Sequence, residues 1–220
     1  MGWIGVQRVQ WPDTCQARCH SPASPSKVMT MMRLKPNKRK ILEAILFLIE
    51  KAEAKKESVT QYEIVKSIFV ADLFHLKKFG RPVSFDNYSA LPFGPVPSEA
   101  YDMLKPTYHA EGLDEPEWPL WERSPSPSGG PKAFIFHNPK RHANKRKLSQ
   151  SDMNELAEAL ELVKQLGFFG VRDWTHLHPA YKSAWDNRGN RQSNPMDYVL
   201  MVEGGDRELV AELAHASKFM

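Results

Sequence analysis

The sequence has little cysteine, no long apolar run and no catalytic signature, and each absence narrows what the chain can be. Cys15 and Cys19 are the only cysteines in 220 residues. Residues 38–220 hold none, so no disulfide braces that part, and the usage fits a reducing cytosol. Cys15-x-x-x-Cys19-His20 has the look of half a zinc site, but structural zinc uses paired short-range ligands and no second cysteine pair exists. The two thiols read as incidental, and no metal or other cofactor is expected. The longest apolar run lies inside Lys40–Glu50, far short of the ~20 residues that cross a bilayer. With a mean hydropathy of −0.51, this excludes a spanning helix, and no membrane partner is expected. The start lacks the continuous apolar core of a secretory signal. G-x-S-x-G, HExxH and phosphate-loop motifs are missing too, so the chain is not expected to be an enzyme.

Positive charge is present, but it is unevenly placed. The formal net charge of +4 and the pI near 9.0 invite a nucleic-acid reading. Arg8, Arg18, Lys27, Arg33 and Lys35 against Asp13 place the whole excess in residues 1–37, and the remaining chain balances 25 basic against 25 acidic side chains. Residues 1–37 also carry four prolines and no helical or strand period, which predicts a disordered or extraneous tail. Met29, Met31 and Met32 stand just before patterned sequence begins, so translation is as readily placed there as at Met1. Residues 38–220 are expected to form a single domain.

Within that domain the helical period dominates. Ile41, Leu42, Ile45, Leu46, Ile49 and Ala52 form a 3.6-residue stripe over Lys38–Lys56. Thr60-x-x-Glu63 is a capping box for a second helix that Gly80 and Pro82 close. Its expected buried face is Ile64, Val65, Ile68, Phe69, Leu73 or Phe74, and Leu76. Pro82–Pro97 reads as an extended, partly β segment feeding a rigid turn, after which Pro97-Ser98-Glu99 opens a helix to about Lys105. Trp118–Arg123 and Ala133–His137 predict a hairpin around the Ser124–Pro131 loop. Ser149 or Ser151 caps a helix that ends at Gly167. Short helical pieces follow at Val171–Leu177 and Pro179–Trp185, and a last helix at Asp206–Ser217. The fold class is mainly α, a compact multi-helix domain with one small antiparallel β element.

Several constellations invite chemistry. Asp72 and His75 lie three apart on one helical face, the spacing of an acid–base or metal pair, and His176 and His178 are further candidate ligands. No nucleophile motif accompanies them. Lys140, Arg141, Lys145, Arg146 and Lys147 offer a phosphate-binding segment, but without a recognition module, and Glu111, Asp114, Glu115 and Glu117 balance it. Pro92-Phe93-Gly94-Pro95, followed by Pro97, is a stiff turn that costs little entropy to hold in one shape. Such turns are either determinants of the fold or platforms for presentation.

Ile68–Pro82, with Ala71-Asp72, His75, Gly80 and Pro82, continues through Tyr88–Leu91 and Pro92-Phe93-Gly94-Pro95-Val96-Pro97-Ser98-Glu99-Ala100-Tyr101. This block resembles the Panacea domain, the SocA-like family of antitoxins and phage-associated proteins. Ser149-x-x-Asp152, Trp174-Thr175-His176 and Trp185 are similar to its C-terminal phrase, and Phe93 stands where the family usually carries tyrosine. The resemblance covers roughly residues 38–187. It implies a cytoplasmic, prophage-associated member of a toxin–antitoxin system that neutralises a co-encoded protein toxin by direct contact. In some members it implies delivery of that toxin to a AAA+ protease such as ClpXP. The partner-binding residues expected on this reading are Asp72, His75, Phe93, Gly94, Pro95, Pro97, Glu99 and Tyr101. The alternatives from other classes are a nucleic-acid-binding regulator using Lys140–Lys147 and a hydrolase using Asp72, His75 or His176.

Overall fold

The computed structural model describes residues 31–127 and 133–220. Cys15, Cys19, His20, most of the expected tail and part of the Ser124–Pro131 loop lie outside them. Helix α1 spans Lys38–Ala54 and starts where the Asn37 side chain accepts the Lys40 N–H. Helix α2 spans Gln61–Phe79, with the Thr60/Glu63 capping box formed at one end and Gly80 left-handed at the other. The expected stripe understates its burial. Lys66, Ser67, Asp72 and His75 are buried along with the apolar positions, because neighbours cover α2 on nearly every side.

Strands β2 (Tyr88–Leu91) and β3 (Gly94–Pro97) form an antiparallel hairpin, pairing Tyr88 with Pro97 and Leu91 with Gly94. The tight connection is therefore Pro92-Phe93, and Gly94–Pro97, expected as part of the turn, is a strand. Helix α3 (Ser98–Met103) follows directly. The expected single β element is two three-stranded antiparallel sheets. In one, β1 (Val59–Thr60) joins β5 (Phe134–His137) and β4 (Glu122–Pro125); in the other, β3, β2 and β6 (Asn194–Pro195) lie in that order.

Helix α4 (Gln150–His176) packs along α2 and is capped by Ser149, with Asp152 reciprocating. Gly167 interrupts it, at φ 65° and ψ −178°, so the helix expected to end there instead restarts at once. Helix α5 (Pro179–Asp186), a 3-10 turn at Tyr198–Met201 and helix α6 (Arg207–Ala216) complete the order. The fold is mainly α, as its periodicity predicts.

Residues 34–37, expected in the tail, belong to the packed structure. Leu34 is buried, and its N–H and carbonyl both bond the Asn87 side chain. The Lys35 N–H donates to Ser217 Oγ. Backbone polar groups bonded in this way cannot leave for water without cost.

Candidate functional site

The β2–β3 hairpin is held from below by three buried ionisable side chains. Asp72, on α2, accepts the N–H groups of Val83 and Ser84 at 2.8 and 2.9 Å and the Tyr88 hydroxyl at 2.7 Å, and it is also bonded by the Ser84 hydroxyl. These bonds organise the segment entering β2, where Phe85 sits buried at a φ of 57°. Burial pushes the Asp72 carboxyl above its usual range, against the pull of those hydrogen bonds. Asp86 accepts from Asn87, Glu99 and Ala100 N–H groups at 2.7, 3.0 and 2.8 Å. It thereby caps α3, whose own N-cap Pro97 has no side chain to do so. Burial raises the Asp86 carboxyl to about 7.

The third anchor is Lys66, which sequence reasoning missed. Its Nζ has no solvent exposure and donates to the Pro95 carbonyl at 2.7 Å. β3 is an edge strand, so the prolines at 95 and 97 forfeit no ladder bond and the Pro95 carbonyl is free to turn toward α2. Burial drives the Lys66 amine well below its ordinary basicity. Gly94 is what permits the approach. Its φ is 99°, and a Cβ there would lie 2.7 Å from both Lys66 Nζ and Thr175 Oγ1. A signal for Lys66 was present, since Tyr62, Phe69 and Leu73 at i−4, i+3 and i+7 place the lysine on an apolar stripe.

At the tip, Phe93 is 57% exposed, with its ring 5.5 Å from that of Phe168. Of the eight residues expected to meet a partner, Asp72, His75, Gly94, Pro95 and Pro97 are buried, and all of these but His75 shape the hairpin from within. Glu99 accepts the Tyr108 hydroxyl at 2.7 Å, and Tyr101 lies under the Lys105 ammonium at 4.5 Å. Both are on α3, beyond the far end of β3 from Phe93, and that strand alone runs about 10 Å at a rise of about 3.3 Å per residue. The eight do not form one surface.

Asp72 and His75 do not pair. His75 Nδ1 donates to the Arg81 carbonyl at 2.8 Å and Nε2 lies 3.1 Å from Ser151 Oγ, while every Asp72 bond goes to residues 83–88. His75 Nε2 also lies 3.2 Å from Asp152 Oδ1, and burial lowers the imidazole below its ordinary value. His178 caps α5 by accepting the Ala180 N–H, and burial lowers it to about 4. His176 stacks on Tyr181 at 4.4 Å. No group of His, Cys, Asp or Glu among the described residues is placed to hold a metal ion.

The basic segment is partly consumed internally. The Arg141 guanidinium forks onto Glu43 at 2.8 and 3.0 Å and also meets Glu115, and Lys140 Nζ donates to the Glu117 carbonyl. The cleft of about 510 Å³ beside it mixes both signs, with Arg39, Arg141 and Lys147 against Glu43, Asp114 and Glu115.

The family model for the antitoxin SocA-like Panacea domain matches residues 64–182. The chain belongs to this family. The match runs from the first turns of α2 through the hairpin, α3, the β4–β5 pair and α4 into α5, so all three buried anchors and the exposed tip lie inside the Panacea domain. Neither curated proteins nor solved structures gave a match. Membership supports an antitoxin-type protein. No helix among the described residues is long and apolar enough to cross a membrane.

Proposed function

We propose that this Panacea-domain protein neutralises a co-encoded protein toxin in the cytoplasm by binding it directly, with the β2–β3 hairpin as the presented element and no catalytic step. The observation that carries this reading is the contrast along the hairpin. Its base is fixed by Asp72, Asp86 and Lys66, all without solvent exposure, while Phe93 at its tip is 57% exposed. A rigid aromatic presented to solvent loses little freedom when a partner covers it, which favours affinity. Phe93 and Gly94 set the tip, Pro95 and Pro97 shape the strand that leads from it to α3, and Asp72 and His75 act through the backbone they hold. Toxin held in this way is either sequestered or passed to a AAA+ protease such as ClpXP. The nucleic-acid reading is weakened because Arg141 is committed to Glu43 and Glu115.

The test is co-expression with the adjacent open reading frame. Its product is expected to be toxic alone, harmless beside this chain and recovered with it on purification. Rescue without physical association overturns direct neutralisation.

A further inference from the structure

Gly167 holds a backbone conformation, φ 65° with ψ −178°, that is essentially confined to glycine. Space does not explain the glycine, because a Cβ there would meet nothing within 4 Å. What the break does is restart α4 so that Phe168 and Phe169 stand in the first turn of its last segment, 41% and 67% exposed. Their rings meet edge to face at 5.2 Å, and Phe168 also touches Phe93 and, at 4.6 Å, Tyr62. An exposed aromatic cluster contributed by three separate elements is a costly feature to leave in water, and such patches mark interaction sites.

The charge beside this cluster indicates what covers it. The Tyr181 hydroxyl donates to the Leu91 carbonyl at 2.9 Å, which seats α5 against the hairpin next to its tip. Tyr181 and Trp185 stack at 5.9 Å, and the Arg188 guanidinium lies 3.7 Å over the Trp185 ring. Arg188 and Arg191 donate only to backbone carbonyls, and Lys182 makes no ion pair among the described residues. Asp186 is the single acid between Leu177 and Pro195. Arg172, by contrast, is already paired with Asp173.

We infer that Phe93, Phe168 and Phe169, together with Lys182 on α5 and Arg188 and Arg191 in the loop after it, form a docking surface for an acidic segment of the toxin that carries apolar anchors. The rings supply burial, and the uncompensated cations supply complementarity to carboxylates. Nucleic acid fits less well. The three rings cross at 59° and 87° instead of lying parallel, so they offer bases no stack of open faces. The inference rests on the antitoxin reading, since it takes the toxin as the occupant.

The test titrates the purified adjacent-frame product against the full chain at low and high salt. F168S/F169S is expected to weaken binding by about tenfold or more. R188E/R191E is expected to weaken it by about tenfold at low salt and to flatten its salt dependence. K145E/K147E, on the basic segment, is expected to bind as the native protein does. Thermal midpoints check folding, and if the aromatic variant unfolds, the charge-reversal variant decides alone. If the native protein binds and the variants at 168–169 and 188–191 bind equally well, this surface is overturned and the antitoxin reading stands. If the native protein does not bind, both fail. If single-stranded RNA binds and the same variants abolish that, the surface serves nucleic acid and the inference is overturned.

Discussion

Lys66 Nζ donates to the Pro95 carbonyl at 2.7 Å from a position with no solvent exposure. The bond joins the central helix to the outer edge of the hairpin, and it places a desolvated amine one residue from the glycine that makes room for it. This tether, with the two aspartates beneath β2 and α3, turns a hairpin of two four-residue strands into a fixed platform.

Replacing Gly94 tests the close approach. Gly94→Ala introduces a Cβ 2.7 Å from Lys66 Nζ and Thr175 Oγ1 at a φ of 99°. Left-handed backbone alone costs about 1–2 kcal/mol, and overpacking adds about 1–3 kcal/mol. A total loss of about 2–5 kcal/mol is expected from urea unfolding. Gly112→Ala, at a φ of 77° with nothing within 4 Å, is expected to lose only the backbone part.

Lys66→Met separates tethering from stability. The folded chain holds the amine well below 10.5, so between that lowered value and 10.5 the unfolded chain binds more protons. Native stability therefore rises with pH across this window, and the methionine variant lacks that rise. In urea titrations from neutral to alkaline pH, the difference between the two proteins is expected to move in favour of the native one as pH increases. Toxin neutralisation is expected to weaken in Lys66→Met even where its stability is undiminished.

Asp86 works with the opposite sign. Its carboxyl is raised from 3.8 to about 7, so the stability it contributes is fully present below 3.8 and is lost as pH rises through about 7. Asp86→Asn keeps one acceptor for the α3 cap and does not titrate. Its deficit in thermal midpoint is expected to be larger at pH 5 than at pH 8.

His178 governs the acid side. Its imidazole falls from 6.5 to about 4, so its contribution is present above 6.5 and is lost as pH falls through about 4. The full swing is about 3 kcal/mol at about 1.4 kcal/mol per pKa unit. His178→Asn preserves an acceptor for the Ala180 N–H without titrating, and a flatter melting profile below pH 6.5 is expected for it.

Much of the framework was legible because its signals are local. The α1 stripe, the Thr60/Glu63 and Ser149/Asp152 boxes and the Gly80 stop each need only a few adjacent residues, and each appears as read. Strands β1 and β6 were not legible, since two residues carry no period and their partners lie far along the chain. Gly167 read correctly as an end, but its extended ψ lets the chain re-enter a helix, which composition does not encode. The candidate site was partly legible. Gly94 and Phe93 stood out by residue type, and Asp72 and His75 stood out as a pair that the structure separates, whereas Lys66 drew no notice. Periodicity alone does not reveal a helix covered on nearly every side.

Phe93→Ala gives the most direct test of the central claim, because the substitution removes the exposed tip and leaves Lys66, Asp72 and Asp86 untouched. Isothermal titration of the purified adjacent-frame product is expected to show affinity lowered by about tenfold or more, with an unchanged melting temperature. Equal affinity for the native protein and Phe93→Ala would contradict the claim that the hairpin tip is the presented element.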